Sequence, residues 1–127
     1  MKGNKEGTGQ MSWEDGAFYS GEFKNGSKHG KGIYIFPNGA VYDGEWENGK
    51  KNGMGVSFNI RKKLRYEGQF KDGKAHGSGI YHHGDGTFYI GGFENDKHHG
   101  FGSLNSADGR TVIKFGLWEN DELKKPF

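Results

Sequence analysis

A tyrosine–glycine–aromatic pattern recurs along this chain at an almost constant interval. Its tyrosines follow one another at 23, 24 and 23 residues, at Tyr19, Tyr42, Tyr66 and Tyr89. After each tyrosine come a glycine, a Phe or Trp, and then a Gly-x-Gly pair. These positions are Gly21, Gly44, Gly68 and Gly91, then Phe23, Trp46, Phe70 and Phe93, then Gly30/Gly32, Gly53/Gly55, Gly77/Gly79 and Gly100/Gly102. Such a period predicts a stack of small units that each contact only their neighbours.

The composition favours a thin core that is distributed along the repeats. Apolar residues make up only 31% of the 127 residues, which alone would favour disorder, but 15% are aromatic, and disordered chains are poor in aromatics. The 25 glycines follow no Gly-X-Y period, which excludes collagen. A net charge of +2 is too small to indicate nucleic-acid binding.

The repeat divides the chain into a single array spanning residues 1–127. We expect a partial unit at 1–17, full units at 18–40, 41–64, 65–87 and 88–110, and a degenerate unit at 111–127. The second unit is one residue longer and carries Asn59-Ile-Arg-Lys-Lys-Leu64 where its siblings have Asn-Gly or Asp-Gly, so it needs a different turn. The first residues match only the second half of a unit, which fits either a fragment of a longer array or an end covered by a partner chain. Lys124, Lys125 and Pro126 are of the type that blunts an exposed sheet edge.

Each unit reads as one β-hairpin. In residues 18–23, alternation places Tyr19, Gly21 and Phe23 on one face. Asn-Gly and Asp-Gly between alternating segments are strong tight-turn signals. We therefore predict an all-β fold, an elongated single-layer twisted antiparallel sheet of consecutive hairpins, about 50 Å long at about 4.8 Å per strand.

The glycines have a predicted purpose in such a sheet. The column that contains Gly21 removes side chains between the tyrosines and the Phe/Trp positions, so that the rings can lie over bare backbone. Burying a ring contributes roughly 1.5–3 kcal/mol. A glycine in a strand costs about 0.5–1 kcal/mol, so burial of the ring outweighs the cost of the glycine.

Four stretches resemble MORN (membrane occupation and recognition nexus) repeats: YSGEFKNGSKHGKG, YDGEWENGKKNGMG, YEGQFKDGKAHGSG and YIGGFENDKHHGFG. The departures are Asn52 for the usual His, Asp96 for the usual Gly, and Lys114 where a fifth tyrosine should stand. The resemblance implies the hairpin sheet and a scaffolding or targeting role. It also implies binding of protein segments in a long groove, self-association in some members, and lipid binding in others. Modules of this type are appended to lipid kinases, methyltransferases, ciliary proteins and cytoskeletal proteins.

The histidines and carboxylates indicate no enzyme. Equivalent histidines in neighbouring units would lie about 10 Å apart in the sheet, which is too far to share a zinc ion at 2.0–2.1 Å. These histidines, which we interpret as turn residues bonded to backbone, are His29, His76 and His99. The neighbours His82-His83 and His98-His99 should point to opposite faces. Glu22 and Glu45 read as a solvated strand face, and the chain has no cysteine. We predict no catalytic residue, no metal ligand and no cofactor.

The aromatic row is the candidate partner-binding groove, for a helix or an extended peptide of another protein. It consists of Tyr19, Phe23, Tyr42, Trp46, Tyr66, Phe70, Tyr89 and Phe93. The same face of the following strand carries Tyr34 and Phe36. The row must supply the core of a single-layer sheet, but a single layer cannot cover its own face, so we expect part of it to stay accessible.

A basic cluster offers a second candidate site, for anionic lipid headgroups or an acidic partner. It consists of Lys50, Lys51, Arg61, Lys62, Lys63 and Arg65. The alternative is a solvated, charged turn.

The sequence as a whole predicts a non-enzymatic protein-interaction scaffold, with homodimerisation through an end or a face as a further hypothesis. The alternatives are a peripheral membrane module that binds anionic phospholipids and an accessory domain of a larger enzyme. The sequence shows no signal peptide and no long apolar run. We therefore expect a cytoplasmic location, with the resemblance adding the cytoskeleton, the cilium or the membrane periphery.

Overall fold

Residues 6–127 form one antiparallel sheet of eleven strands, and the predicted fold class is confirmed. The computed structural model describes residues 6–127, which contain no helix. Every strand pairs with its neighbours in sequence, and β1 and β11 are the edge strands. The strands are β1 (Gly7–Ser12), β2 (Phe18–Lys24), β3 (Ser27–Ile35), β4 (Val41–Glu47), β5 (Lys50–Asn59), β6 (Leu64–Lys71), β7 (Lys74–His82), β8 (Phe88–Glu94), β9 (Lys97–Asn105), β10 (Val112–Glu119) and β11 (Glu122–Pro126).

The hairpin turn inside each unit requires two residues with positive φ. Asn25 and Gly26 adopt φ of 52° and 81°, the type I′ conformation whose twist matches that of the flanking strands. In the fourth unit Asp96 replaces the glycine and still adopts φ of 69°. Its carboxylate accepts the backbone N–H of Ala75 at 2.7 Å, and its own N–H donates to the Ala75 carbonyl at 3.0 Å. These two bonds to the preceding unit offset the conformational cost of the missing glycine.

The turns between units are of a second kind. After β3, Phe36 and Gly39 close a tight loop, because Gly39 N–H donates to the Phe36 carbonyl at 2.9 Å and Asn38 Oδ1 accepts the Ala40 N–H at 2.9 Å. The irregular loop of the second unit differs, as predicted. There Lys63 takes φ of 57°, and its N–H donates to the Ile60 carbonyl at 3.2 Å.

A line of glycines crosses the sheet from β1 to β10, one in each strand. Its members are Gly9, Gly21, Gly32, Gly44, Gly55, Gly68, Gly79, Gly91, Gly102 and Gly116. The predicted floor beneath each tyrosine needs one correction. A Cβ on Gly55 would overlap the ring of Tyr42, so the ring lies over the glycine of the following strand. Gly44 is needed for a different reason, because a Cβ there would lie 2.5 Å from the Gly55 Cα.

A bulge of three residues opposite one, present in the four hairpins from β2–β3 to β8–β9, explains the remaining residues of the repeat. Gly44 pairs with Gly55 and Trp46 with Lys51, so Glu45 alone lies opposite residues 52–54. The Tyr42 hydroxyl donates to the Glu45 carbonyl at 2.8 Å. The same bond, at 2.8–2.9 Å, joins Tyr19 to Glu22, Tyr66 to Gln69 and Tyr89 to Gly92.

The side chain at the bulge also has a structural role, which corrects the interpretation of Glu22 and Glu45 as a merely solvated face. The Glu45 carboxylate accepts the Met54 N–H at 2.6 Å, and Glu22 accepts the Lys31 N–H at 2.9 Å. Gly53 adopts φ of 92°, and a Cβ there would overlap the Glu45 carboxylate. The Tyr-x-Gly-Glu sequence and the later Gly-x-Gly pair therefore both serve the same bulge. The first supplies its hydrogen bonds, and the second leaves room for the carboxylate.

The core is a row of rings on one face of the sheet. Tyr42 contacts its own Trp46 and the Phe70 of the next unit, each at 4.9 Å between ring centroids and nearly edge-to-face. Trp46 Nε1 donates to the Gly32 carbonyl at 3.0 Å, and Trp118 repeats this bond to Gly102 at 2.9 Å. The degenerate last unit therefore still contributes its tryptophan to the row.

We predict that Gly55→Ala lowers the free energy of unfolding by about 1–3 kcal/mol, the usual cost of overpacking. The new methyl group would overlap the Tyr42 ring. Gly9→Ala is the matched control in the same line of glycines, since its Cβ would lie 3.6 Å from Phe23, an ordinary contact. It should change stability by no more than about 0.5 kcal/mol. Urea unfolding monitored by fluorescence measures both, and equal losses would contradict the tyrosine–glycine packing.

Candidate functional site

The eight side chains of the predicted groove lie together, but they form the interior of the sheet. Their exposed fractions are only 0–6%. Burial raises the pKa of Tyr19, Tyr66 and Tyr89 to about 12. This row supports the surface above it and offers little area of its own to a partner.

The accessible surface on this side is a second set of side chains that covers the rings, here called the outer layer. Its half-buried members are Lys28, Tyr34, Phe36, Lys51, Tyr81, His83, His98 and Leu104. Tyr34 packs against Trp46 at 6.0 Å and against Phe36 at 4.7 Å between centroids. The alternation of β3 predicted the face of Tyr34 and Phe36. The other members were missed, although they recur with the same period as the rings.

Two lysines of the outer layer sit among aromatic rings. Lys28 Nζ lies 5.1–5.8 Å from the ring centroids of four aromatics, which are Trp13, Tyr19, Tyr34 and Trp46. Lys51 Nζ lies 5.2–5.7 Å from three, which are Phe36, Tyr42 and Phe70. Ring faces attract cations at such distances. Burial lowers the pKa of both ammonium groups, and for Lys51 the charge of Asp96 partly opposes it.

A hollow of about 240 Å³ opens between these two lysines. Its walls include Tyr34, Phe36 and Trp46. The hollow thus combines aromatic walls with ammonium groups at both sides, an arrangement suited to an apolar side chain with a carboxylate nearby.

The residue that pairs with the Phe or Trp of each hairpin differs in charge and polarity from unit to unit along the array. Its occupants, in chain order, are Lys28, Lys51, Ala75, His98 and Leu123. The first two are cations and the last is aliphatic. This position is therefore cationic in the N-terminal units and uncharged or apolar in the C-terminal units, where the carboxylate of Asp121 lies beside His98.

His98 is an enclosed ionisable group of the outer layer. Its ring stacks on Tyr89 at 3.7 Å with an interplanar angle of 5°, and its side chain is only 13% exposed. Its Nδ1 lies 3.8 Å from Asp121 Oδ1, too far for a hydrogen bond, and has no partner among the described residues. Burial lowers the pKa of His98, the nearby His83 lowers it further, and Asp121 opposes the shift.

The six residues of the predicted basic cluster do not come together. Lys50 begins β5, whereas Arg61, Lys62 and Lys63 follow its far end, at a distance of roughly 30 Å for a strand of this length. Lys51 belongs to the outer layer, and Arg65 contacts Glu67 at 3.3 Å. The exposed turn at residues 61–63 forms one basic patch, whereas Lys50 and Lys51 both line the hollow beside Lys28.

The histidines in equivalent positions lie in the bulges of β3, β7 and β9, which corrects their interpretation as turn residues. His99 Nε2 lies 3.8 Å from Glu94 Oε2. His82 lies near Glu67, while the adjacent His83 contacts Tyr81, so the pair does point to opposite faces. Residues 6–127 contain no group of three His, Asp or Glu side chains arranged to hold a metal ion.

The opposite face of the sheet carries a larger hollow of about 570 Å³. Met54 and Val56 line it together with Lys31, Asp43 and Glu67. Charges of both signs alternate with apolar side chains there, so this hollow selects no single ligand chemistry.

We predict that the stability of the protein falls as the pH drops below about 6.5, because His98 must be neutral to stay buried. Its folded pKa lies below the unfolded value of about 6.5. The unfolded chain therefore binds more protons between these two values, and stability rises with pH across that window. His98→Leu, which copies the residue at Leu123, should flatten this part of the profile in urea unfolding from pH 4.5 to 8. Identical profiles for both proteins would contradict the prediction.

The comparisons with known proteins agree with this geometry. The MORN repeat family matches residues 1–18, 19–41, 42–57, 66–88 and 89–109, and the third match ends just before the irregular turn. No curated protein matches the sequence. Among residues 6–127 there is no helix long and apolar enough to cross a membrane. MORN repeats are generally modules for protein or membrane interaction, typically without enzymatic activity, and are associated with membranes or the cytoskeleton. Because the matches cover most of its length, the chain belongs to the MORN repeat family.

Proposed function

We propose that the chain is a non-enzymatic scaffold that binds a helix or extended peptide of another protein along the outer layer. The observation that carries this proposal is the set of half-buried aromatic and cationic side chains that lies above the buried row of rings. Surfaces of this composition are typical of interaction sites in soluble proteins. No second layer within residues 6–127 covers them.

The buried row and the outer layer have different roles in this proposal. Rings at 0–6% exposure fix the backbone and hold the outer side chains in place. Tyr34 and Tyr81, half-buried against that row, then present rigid contact area to a partner at a small entropic cost. The eight residues of the predicted groove thus act as the floor of the site. In the cell the module would recruit its partner in the cytoplasm, at the cytoskeleton or at the periphery of a membrane.

We expect the double variant Tyr34→Ser, Tyr81→Ser to weaken partner binding about tenfold or more, since exposed aromatic anchors commonly contribute over 1.4 kcal/mol each. Serine is compatible with the fold there, because Ser57 occupies the equivalent register position in the second unit. Affinity capture from cell extract followed by quantitative mass spectrometry measures the retained partner.

The matched control is Ile33→Ser, Ile90→Ser, at exposed positions on the opposite face. It should retain the partner at the wild-type level, and circular dichroism should show intact sheet in both variants. A partner that is retained by the tyrosine variant and lost from the isoleucine variant would move the site to the other face.

A second candidate function is contact with an anionic membrane surface through the turn at residues 61–63. Arg61, Lys62 and Lys63 are all exposed and adjacent, and each basic residue near an anionic bilayer contributes about 1 kcal/mol. This turn projects from one long edge of the sheet, so it could bind lipid while the outer layer holds a protein.

We expect Arg61→Glu, Lys62→Glu to reduce co-sedimentation with phosphatidylserine vesicles about tenfold or more, if the turn contacts the membrane. Lys71→Glu, Lys74→Glu is the control with the same charge change at another exposed turn. Equal sedimentation of the two variants would reject a specific role for residues 61–63.

A further inference from the structure

We propose that the partner segment is an amphipathic α-helix that is acidic at one end and apolar at the other. Two of its carboxylates, seven residues apart, bind Lys28 and Lys51. This inference rests on the proposed function, because it names the chemistry of the partner that the outer layer binds.

Neither lysine forms a close ion pair within the described sheet, although Asp96 acts on Lys51 from a longer distance. Among residues 6–127, no carboxylate lies within 4 Å of Lys28 Nζ or Lys51 Nζ. Each ammonium is instead half-buried against aromatic rings. A partly desolvated cation lacks much of its hydration, and a carboxylate delivered by a partner would replace it with a charge-assisted hydrogen bond. The surroundings of both side chains therefore select an acidic ligand.

The spacing of the two lysines favours a helix over an extended peptide. Lys28 lies on β3 and Lys51 on β5, in equivalent registers with β4 between them, so they are about 10 Å apart along the long axis. Seven residues of α-helix rise about 10.5 Å and return to nearly the same face. An extended strand places same-face side chains at about 6.6 Å or 13 Å, and neither matches.

The chemistry of the other end of the helix is inferred from the rest of the column, the residues that occupy the positions equivalent to Lys28 and Lys51 in the later hairpins. Beyond Lys51 the equivalent positions are Ala75, His98 and Leu123, and burial keeps His98 toward its neutral form. From β3 to β11 this column crosses eight strand spacings, about 38 Å, or about 25 residues of helix. A helix laid along it would meet two cations first and apolar side chains afterward. Charge complementarity thus fixes both the acidic end and the direction in which it points.

Designed peptides test this inference directly. The probe is a fluorescently labelled helical peptide of about 25 residues, with Glu at two positions seven apart in one half and Leu on the same face of the other half. Three matched peptides carry Gln at those positions, Glu at a spacing of four, or Lys at a spacing of seven. Fluorescence anisotropy against the full chain should give an affinity at least tenfold higher for the probe than for any of them.

Variants of the two lysines, tested against the same peptides, provide the reciprocal experiment. Lys28→Gln, Lys51→Gln should abolish the preference for Glu over Gln peptides, and Lys28→Glu, Lys51→Glu should instead prefer the Lys peptide. Lys24→Gln, Lys97→Gln is the control with the same charge change at exposed lysines outside the column and outside the hollow, and it should behave as wild type. Circular dichroism establishes that every variant is folded.

The outcomes separate this inference from the proposed function. If the Glu and Gln peptides bind equally, if no peptide binds, or if a spacing of four binds as well, the acidic-helix inference is overturned. If the captured cellular partner needs Tyr34 and Tyr81 but is retained by Lys28→Gln, Lys51→Gln, the proposed function stands and the inference fails. If the lysine variants lose phosphatidylserine vesicles while peptide binding is unchanged, the occupant of the site is a membrane.

Discussion

The structure depends on one contact, the packing of a tyrosine ring over a glycine of the next strand while the tyrosine hydroxyl bonds to a bulge carbonyl. Tyr42 covers Gly55 and donates to Glu45 in this way. The contact buries a ring, satisfies a carbonyl that the sheet ladder leaves without a partner, and sets the position of the bulge. Because it recurs in four units, a chain with only 31% apolar residues can hold eleven strands in one layer.

In this single-layer sheet, one set of side chains forms the core and a second set forms the accessible surface above it. In a two-layer protein, the residues above the core rings would pack against another sheet or helix. Here the outer layer is left half-exposed, and its members differ from unit to unit while the rings beneath stay almost constant. Lys28, Lys51 and His98 occupy equivalent positions, yet the imidazole differs from the two ammonium groups in charge and shape. The repeat thus conserves the scaffold and varies the surface, which allows a regular array to be selective.

Much of the fold could be predicted from local sequence signals. Each feature that could not be predicted was missed for an identifiable physical reason. The hairpins were predictable because Asn25-Gly26 and its equivalents demand positive φ, and the ring row because Tyr19 and Phe23 alternate with polar neighbours. The bulge was not predictable, because one residue opposite three inserts two residues and leaves the alternation of faces unchanged. The setting of Lys28 escaped prediction for another reason. Its ammonium is surrounded by rings from three different strands and a loop, which only the register brings together.

The meander topology also determines how the chain would respond to mechanical tension. The strands lie across the long axis, so a force applied to the two ends would separate neighbouring strands one hydrogen bond at a time. It would not shear a whole ladder at once. Each hairpin that opens would release about 23 residues, or about 70 Å of chain beyond the roughly 10 Å it occupied. An array of this kind could lengthen in steps of one unit while the remaining units keep their surface.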